Sequence, residues 1–232
     1  MTAEHPGTDR TTPPGWAFEI YLVTDTALCG GHDGVLATAA AAARGGATAV
    51  QLRDPAAPDR ELAELGGRLI EALAGSGVPL IVNDRVEVAA AIGAAGAHVG
   101  QSDLDPIAAR RLLGPGRHLG LSVTTVAEAQ AAARLPAGTV DLLGVGPIRD
   151  TPSKPDAAAA VGWDGFARIR AAAPIPCVAI GGVSAADADA LRSAGGAGMA
   201  VISAICGQPD PGAAAGRLRA AWDAAALGAG AR

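Results

Sequence analysis

"VPLIVNDRVEVAAAIGAAGAHVGQSD", Val78 to Asp103, contains two short apolar runs, each closed by polar residues, with an alanine-rich span between them. The first run closes on Asn83-Asp84 and the second on Gln101 and Asp103. Runs of this length without strict alternation fit parallel strands covered on both faces. The intervening "RVEVAAAIG" predicts a helix, so the whole stretch reads as strand, crossover helix, parallel strand.

The same grammar extends in both directions. "EIYLVTD" (19–25), "ATAVQLRD" (47–54), "HLGLSVTT" (118–125), "VDLLGVG" (140–146), "IPCVAIGG" (175–182) and "GMAVISA" (198–204) complete a set of eight candidate strands. Helical patterns lie between them. Leu62, Leu65, Leu69 and Leu73 form one apolar stripe, with Asp59 as its candidate N-cap. Ser184, followed three residues on by Asp187, predicts a helix start, and Gly195-Gly196 its stop. Eight such units predict a single-domain (β/α)₈ barrel of the α/β class over residues 17–226. An open doubly wound sheet is the alternative, but no Gly-x-Gly-x-x-Gly follows the first strand.

Composition agrees. The chain has 232 residues, half of them hydrophobic and only 3% aromatic, so the core is built from Val, Leu, Ile and Ala. A net charge of −5 without a long basic run argues against a nucleic-acid surface. No unbroken apolar stretch reaches the roughly 18 residues of a membrane span. Cys29, Cys177 and Cys206 are widely spaced and odd in number, which suits a reducing cytoplasm better than a disulfide framework. Residues 1–16, polar and Pro-rich, read as a disordered tail rather than a secretory signal.

What ends each strand points to function. Thr24-Asp25, Gln51 and Arg53, Asn83-Asp84, Gln101 and Asp103, Ser122 and Thr124, Gly144 and Gly146, Gly181-Gly182 and Ser203 fall at the C-terminal ends. A barrel gathers these ends on one rim, where such enzymes keep their sites. Asp84 and Asp103 end neighbouring strands about 4.8 Å apart and can share a hard cation of the Mg²⁺ kind, which takes one or two carboxylates and phosphate oxygens. Taken alone, Asp84 reads equally as an N-cap of the following helix. Gln51 and Arg53 share a face, and the arginine's fork suits a phosphate; the bland alternative is a rim ion pair with Asp54 or Asp25. The Gly181-Gly182 turn lets backbone N–H groups approach an anion. None of the four histidines stands at a strand end beside a nucleophile, so acid–base catalysis by histidine is not expected. The loop "GVGPIRDTPSKPD", Gly144 to Asp156, is stiffened by prolines and carries hydroxyls and cations.

"VQLRD", "LIVNDRVEVAAAIGAAGAHVGQSDL", "GLSVTT", "LLGVGPIRDTPSKPD", "VAIGGV" and "VISAI", in this order, resemble the thiamine-phosphate synthase family from about Ile20 to Trp222. The resemblance implies an Mg²⁺-dependent transferase. It would join 4-amino-2-methyl-5-hydroxymethylpyrimidine pyrophosphate to a thiazole phosphate and release pyrophosphate. It implies that Gln51, Arg53 and Asn83 contact the pyrimidine pyrophosphate, that Asp84 and Asp103 bind Mg²⁺, and that Ser122 and Lys154 add further contacts to that substrate. Thr151, Ser153, Gly182, Ile202 and Ser203 would hold the thiazole phosphate. Arg53, Lys154 and Ser122 would bear most directly on catalysis. A homo-oligomer is compatible with the resemblance. Two rivals are a thiazole tautomerase-like homologue, which carries a histidine where this chain has Thr124, and a non-catalytic pathway binding protein. Three departures stand out: Pro55 replaces the family's usual lysine, Arg149 stands where an apolar residue is usual and Asp150 where proline is usual. Arg149 is the candidate to replace the missing cation. Ser153 for threonine keeps the hydroxyl.

Overall fold

A computed structural model describes residues 16–150 and 159–229. Its strands are β1 (Ile20–Val23), β2 (Ala49–Leu52), β3 (Leu80–Asn83), β4 (Gly96–Val99), β5 (His118–Val123), β6 (Leu142–Val145), β7 (Cys177–Ala179) and β8 (Gly198–Val201). They alternate with α1 (His32–Arg44), α2 (Asp59–Leu73), α3 (Val86–Ala91), α4 (Pro106–Leu113), α5 (Val126–Ala133), α6 (Gly162–Ala171), α7 (Ala188–Ser193) and α8 (Pro211–Ala229). Every strand pairs parallel with its sequence neighbour, and β8 pairs with β1, closing the barrel in chain order. All eight strand readings from sequence coincide with a strand, and the open-sheet alternative is excluded by closure.

The strands are two-faced after all. Leu22, Val50, Leu52, Val82, Leu119, Leu121, Leu143, Cys177 and Met199 pack outward against the helices in the main core. Tyr21, Ala49, Ile81, Leu142, Val178 and Ala200 point into the barrel with Phe18 below them. Each inward position is two residues from the next, the strand's own period. The alternation is between large aliphatic outside and small or mixed inside, which is why hydrophobicity alone did not reveal it.

Helix docking follows the apolar stripes. Leu62, Leu65, Leu69 and Leu73 are the buried positions of α2. The N-cap there is Pro58, with Asp59 as the first helical residue and no side-chain cap, a correction to the predicted cap. Its carboxylate instead receives Arg85 Nε at 3.1 Å. α8 seals the β8–β1 seam: Arg192 from α7 lies over the Trp222 ring at 3.7 Å, and Arg219 pairs with Glu19 and Asp223. Gly45 and Gly212 let α1 and the start of α8 touch, since a Cβ on Gly45 would lie 2.1 Å from the Gly212 carbonyl oxygen. At the N-terminal mouth the Phe18 ring stacks on His118 at 4.2 Å, and Trp16 packs on the same interior cluster. Trp16 therefore belongs to the barrel; the rest of the expected tail lies outside the described residues. Among the described residues no helix is long and apolar enough to cross a membrane.

Candidate active site

At the C-terminal mouth the barrel opens into a cavity of about 740 Å³. Gln51, Arg53, Asn83, Asp84, Asp103, Ser122, Gly182, Ile202 and Ser203, nine of the twelve residues expected from sequence, line it. Thr151, Ser153 and Lys154 lie outside the described residues.

Strand register positions the donors. Asn83 pairs with His98 across β3 and β4, and the ladder continues one step further, with Asp84 N–H donating to the His98 carbonyl at 2.8 Å. That step carries Asp84 to the end of β4, where Gly100 N–H donates to Asp103 Oδ2 at 2.7 Å. Asp84 has φ 59° and is the only non-glycine in the left-handed region among the described residues. An aspartate tolerates that region better than most residues, but the conformation still costs about 1 kcal/mol. Arg85, not Asp84, occupies the N-cap of α3. The capping alternative for Asp84 therefore fails.

Arg53 has no ion pair among the described residues, and the partners proposed for a rim salt bridge are committed elsewhere. Asp54 accepts from Thr26 Oγ1 at 2.7 Å and from the N–H groups of Ala56 and Ala57. Asp25 accepts from Leu28 N–H at 2.9 Å. The backbone of Arg53 is fixed by Thr24, whose Oγ1 accepts its N–H at 3.0 Å, and the residue lines the cavity.

Two interior residues were not singled out as site groups in the sequence. Tyr21 sits on the cavity floor, and the buried Gln51 amide donates to its hydroxyl at 2.7 Å. Burial pushes the Tyr21 phenol well above its ordinary range, so it stays protonated. His98, a residue of β4, also reaches the cavity, with Nε2 3.0 Å from Ser122 Oγ. It fits because Gly120 and Gly144 face it. A Cβ at Gly120 would lie 2.2 Å from Nδ1, and one at Gly144 3.0 Å from the Cε1 atom. That glycine pair on the next two strands was the sequence signal for an inward ring. A histidine thus lines the site, although none was expected at a strand end there. Thr124 is fixed by Glu128, whose carboxylate accepts both its N–H, at 2.6 Å, and its hydroxyl, at 3.0 Å.

The glycine turn after β7 is held from one side. Ile148 N–H donates to the Ile180 carbonyl at 2.9 Å and Arg149 N–H to the Gly181 carbonyl at 3.0 Å. Arg149 does not line the cavity. Its guanidinium grips Asp187, so its predicted role as a replacement cation is not supported. Pro55, in contrast, is exposed at the cavity edge.

The model of the thiamine monophosphate synthase family matches residues 20–205, the span that builds this barrel and its mouth. The chain belongs to this family. It is 49% identical over 207 residues to the thiamine-phosphate synthase of Azorhizobium caulinodans, covering 89% of this chain and 96% of that one. It is 50% identical over 210 residues to that of Xanthobacter autotrophicus, covering 90% and 97%. Among solved structures, thiamine phosphate pyrophosphorylase from Pyrococcus furiosus superposes with a TM-score of 0.79 at 32% identity, over 90% of this chain and 96% of that one. Membership makes the chain an enzyme of the transferase class, and the cavity at the strand ends is where its chemistry is to be sought.

Proposed function

We propose that this chain is a thiamine-phosphate synthase. It joins 4-amino-2-methyl-5-hydroxymethylpyrimidine pyrophosphate to a thiazole phosphate, giving thiamine monophosphate and pyrophosphate with the help of Mg²⁺. The observation that carries the reading is the meeting, in one cavity, of Asp84 and Asp103 from neighbouring strand ends with Arg53. Among the described residues no group of three His, Cys, Asp or Glu side chains forms a metal cage. A pair of carboxylates is nevertheless what Mg²⁺ asks of a protein when phosphate oxygens and water complete its shell. Asp84 and Asp103 would hold the ion, which when bound neutralises diphosphate charge.

The remaining work falls to the side chains and backbone of this chain. Arg53 and Asn83 bind the pyrophosphate. Gln51, anchored by Tyr21, and Ser122, anchored by His98, orient the pyrimidine. The bond from the pyrimidine methylene carbon to pyrophosphate breaks with its electron pair leaving on oxygen. The cation left behind is stabilised by the ring amino group. The thiazole nitrogen then supplies the pair for the new C–N bond. No proton has to be removed first, so the site needs placement and charge rather than a general base. The Gly181-Gly182 turn, with Ile202 and Ser203 beside it, takes the thiazole phosphate. The family resemblance assigns Lys154 to the pyrophosphate and Thr151 and Ser153 to the thiazole phosphate. Thr124, immobilised by Glu128, occupies the position where the tautomerase-like rival has a histidine, which favours the synthase.

The test is pyrophosphate release by the purified chain with both substrates and Mg²⁺. Turnover that needs all three supports the proposal. Tight binding of both substrates without turnover would favour a non-catalytic homologue, with Pro55 in place of a lysine as its first suspect.

A further inference from the structure

The turn after β7 presents its backbone in an ordered way. Gly181 and Gly182 have φ of 87° and 70°, both in the left-handed region. Three consecutive carbonyls are drawn to one side: Ile180 by Ile148 N–H, Gly181 by Arg149 N–H, and Gly182 by Arg149 Nη1 at 2.7 Å. In a trans peptide the carbonyl and the next N–H point in opposite directions. The N–H groups of Gly181, Gly182 and Val183 therefore point away from the Arg149 segment, and all three residues line the cavity. None of the three donates to an acceptor among the described residues. Successive unspent N–H groups of this kind form a nest for an anion.

One side chain holds the arrangement. Arg149 reaches the Gly182 carbonyl with Nη1 and straddles both oxygens of Asp187, with Nη1 3.0 Å from Oδ2. Asp187 is buried, and the same Oδ2 accepts from the N–H and hydroxyl of Ser184, each at 2.9 Å. The guanidinium also lies 5.9 Å above the Trp163 ring. Space is tight, since a Cβ on Gly182 would meet the Arg149 Cβ at 2.9 Å.

We propose that Arg149 is a positioning residue for phosphate: it acts from outside the cavity, by clamping the Gly182 carbonyl to Asp187, so that the N–H groups of Gly182 and Val183 stay aimed at the anion. The proposal deepens the proposed function and rests on its assignment of this turn to the thiazole phosphate. Only a two-headed donor makes both contacts at once. The departure from the family's apolar residue thus serves the phosphate by geometry rather than by charge.

The probe is inorganic phosphate, followed by the amide resonances of Gly182 and Val183 in the full chain. In the unaltered protein both resonances shift on titration. Arg149→Met weakens phosphate binding roughly tenfold, the loss of one or two net hydrogen bonds. It raises the Michaelis constant for the thiazole phosphate similarly and moves that for the pyrimidine pyrophosphate less than about twofold. Arg149→Lys restores a cation beside Asp187 and recovers the melting temperature, but not phosphate affinity. If Arg149→Met binds phosphate like the unaltered protein, or if Arg149→Lys recovers phosphate affinity together with melting temperature, the clamp is a structural strut and the inference falls. If the unaltered protein's resonances do not respond to phosphate, the inference and the assignment of this turn fall together, while pyrophosphate release can still be measured on its own.

Discussion

The two mouths of the barrel are built from the same eight strands and differ in almost everything else. At the N-terminal mouth the interior is filled by Phe18, Ile81 and Leu142, with Trp16 packed on the same cluster and His118 stacked on Phe18. Toward the C-terminal mouth the lining becomes Tyr21, Gln51, Asn83, His98, Ser122, Gly144 and Gly182. Nothing changes in backbone geometry between the levels. What changes is side-chain volume and polarity along the inward rows. Large apolar groups close the lower end, and small or polar groups leave a cavity at the upper one. The lower mouth contributes cohesion, and on the proposed function the upper one carries the chemistry; the division can be tested from both sides.

The largest effect is expected at the upper mouth. Asp84→Asn keeps the side-chain shape and the tolerance of the left-handed backbone while removing the charge. Turnover should fall roughly 10²- to 10³-fold, the range for one preorganised electrostatic contact, with a thermal midpoint close to that of the unaltered protein. Near-normal turnover would remove Asp84 from the proposed metal site. At the lower mouth the outcome should invert. Phe18→Ala empties buried volume beneath the interior cluster and should cost about 3 kcal/mol in denaturant unfolding. Turnover per folded molecule should stay near that of the unaltered chain; a parallel loss of turnover would mean the two ends are not separable.

A smaller effect sharpens the lower end. Burial, helped by the Arg110 charge, pushes the His118 imidazole down to about 3. The folded ring is therefore neutral over a range in which the unfolded one, near 6.5, takes up a proton. The stability this contributes is fully present above pH 6.5 and is lost as pH falls toward 3, at up to about 1.4 kcal/mol per pH unit. Unfolding measured from pH 7 to pH 4 should show a shallower decline in His118→Phe than in the unaltered chain; identical slopes would mean the ring is not held neutral. The smallest effect lies between the mouths. Tyr21→Phe removes the hydroxyl that anchors Gln51, and should cost about 1 kcal/mol in stability. It should also raise the Michaelis constant for the pyrimidine pyrophosphate several-fold, on the order of one lost hydrogen bond. An unchanged constant would show that Gln51 orients itself without Tyr21.

Strand positions and strand-end residues were legible because both are local. An apolar run between helical spans declares itself within a few residues, and closure places every strand's C-terminal end on one rim. The carboxylates, Arg53 and the glycine turn could thus be assigned to one site without knowing any angle. Contacts between residues far apart in sequence were not legible. The Gln51–Tyr21 bond spans two strands, His98 turns inward because glycines on the next two strands leave it room, and Arg149 was taken for a substrate cation when its partner lay 38 residues away. Asp59 was one residue out as a cap, since helix ends depend on how the preceding loop enters.

By itself, then, the amino-acid order determined the number of βα units, their direction, and which chemical groups stand at the strand tips, because these follow from local periodicity and parallel connection. Only the tertiary structure decided which side of each strand faces the barrel interior, how Asp84 is turned, and what Arg149 holds. Those outcomes depend on the space and hydrogen-bonding partners supplied by distant segments, and no single stretch of chain encodes them.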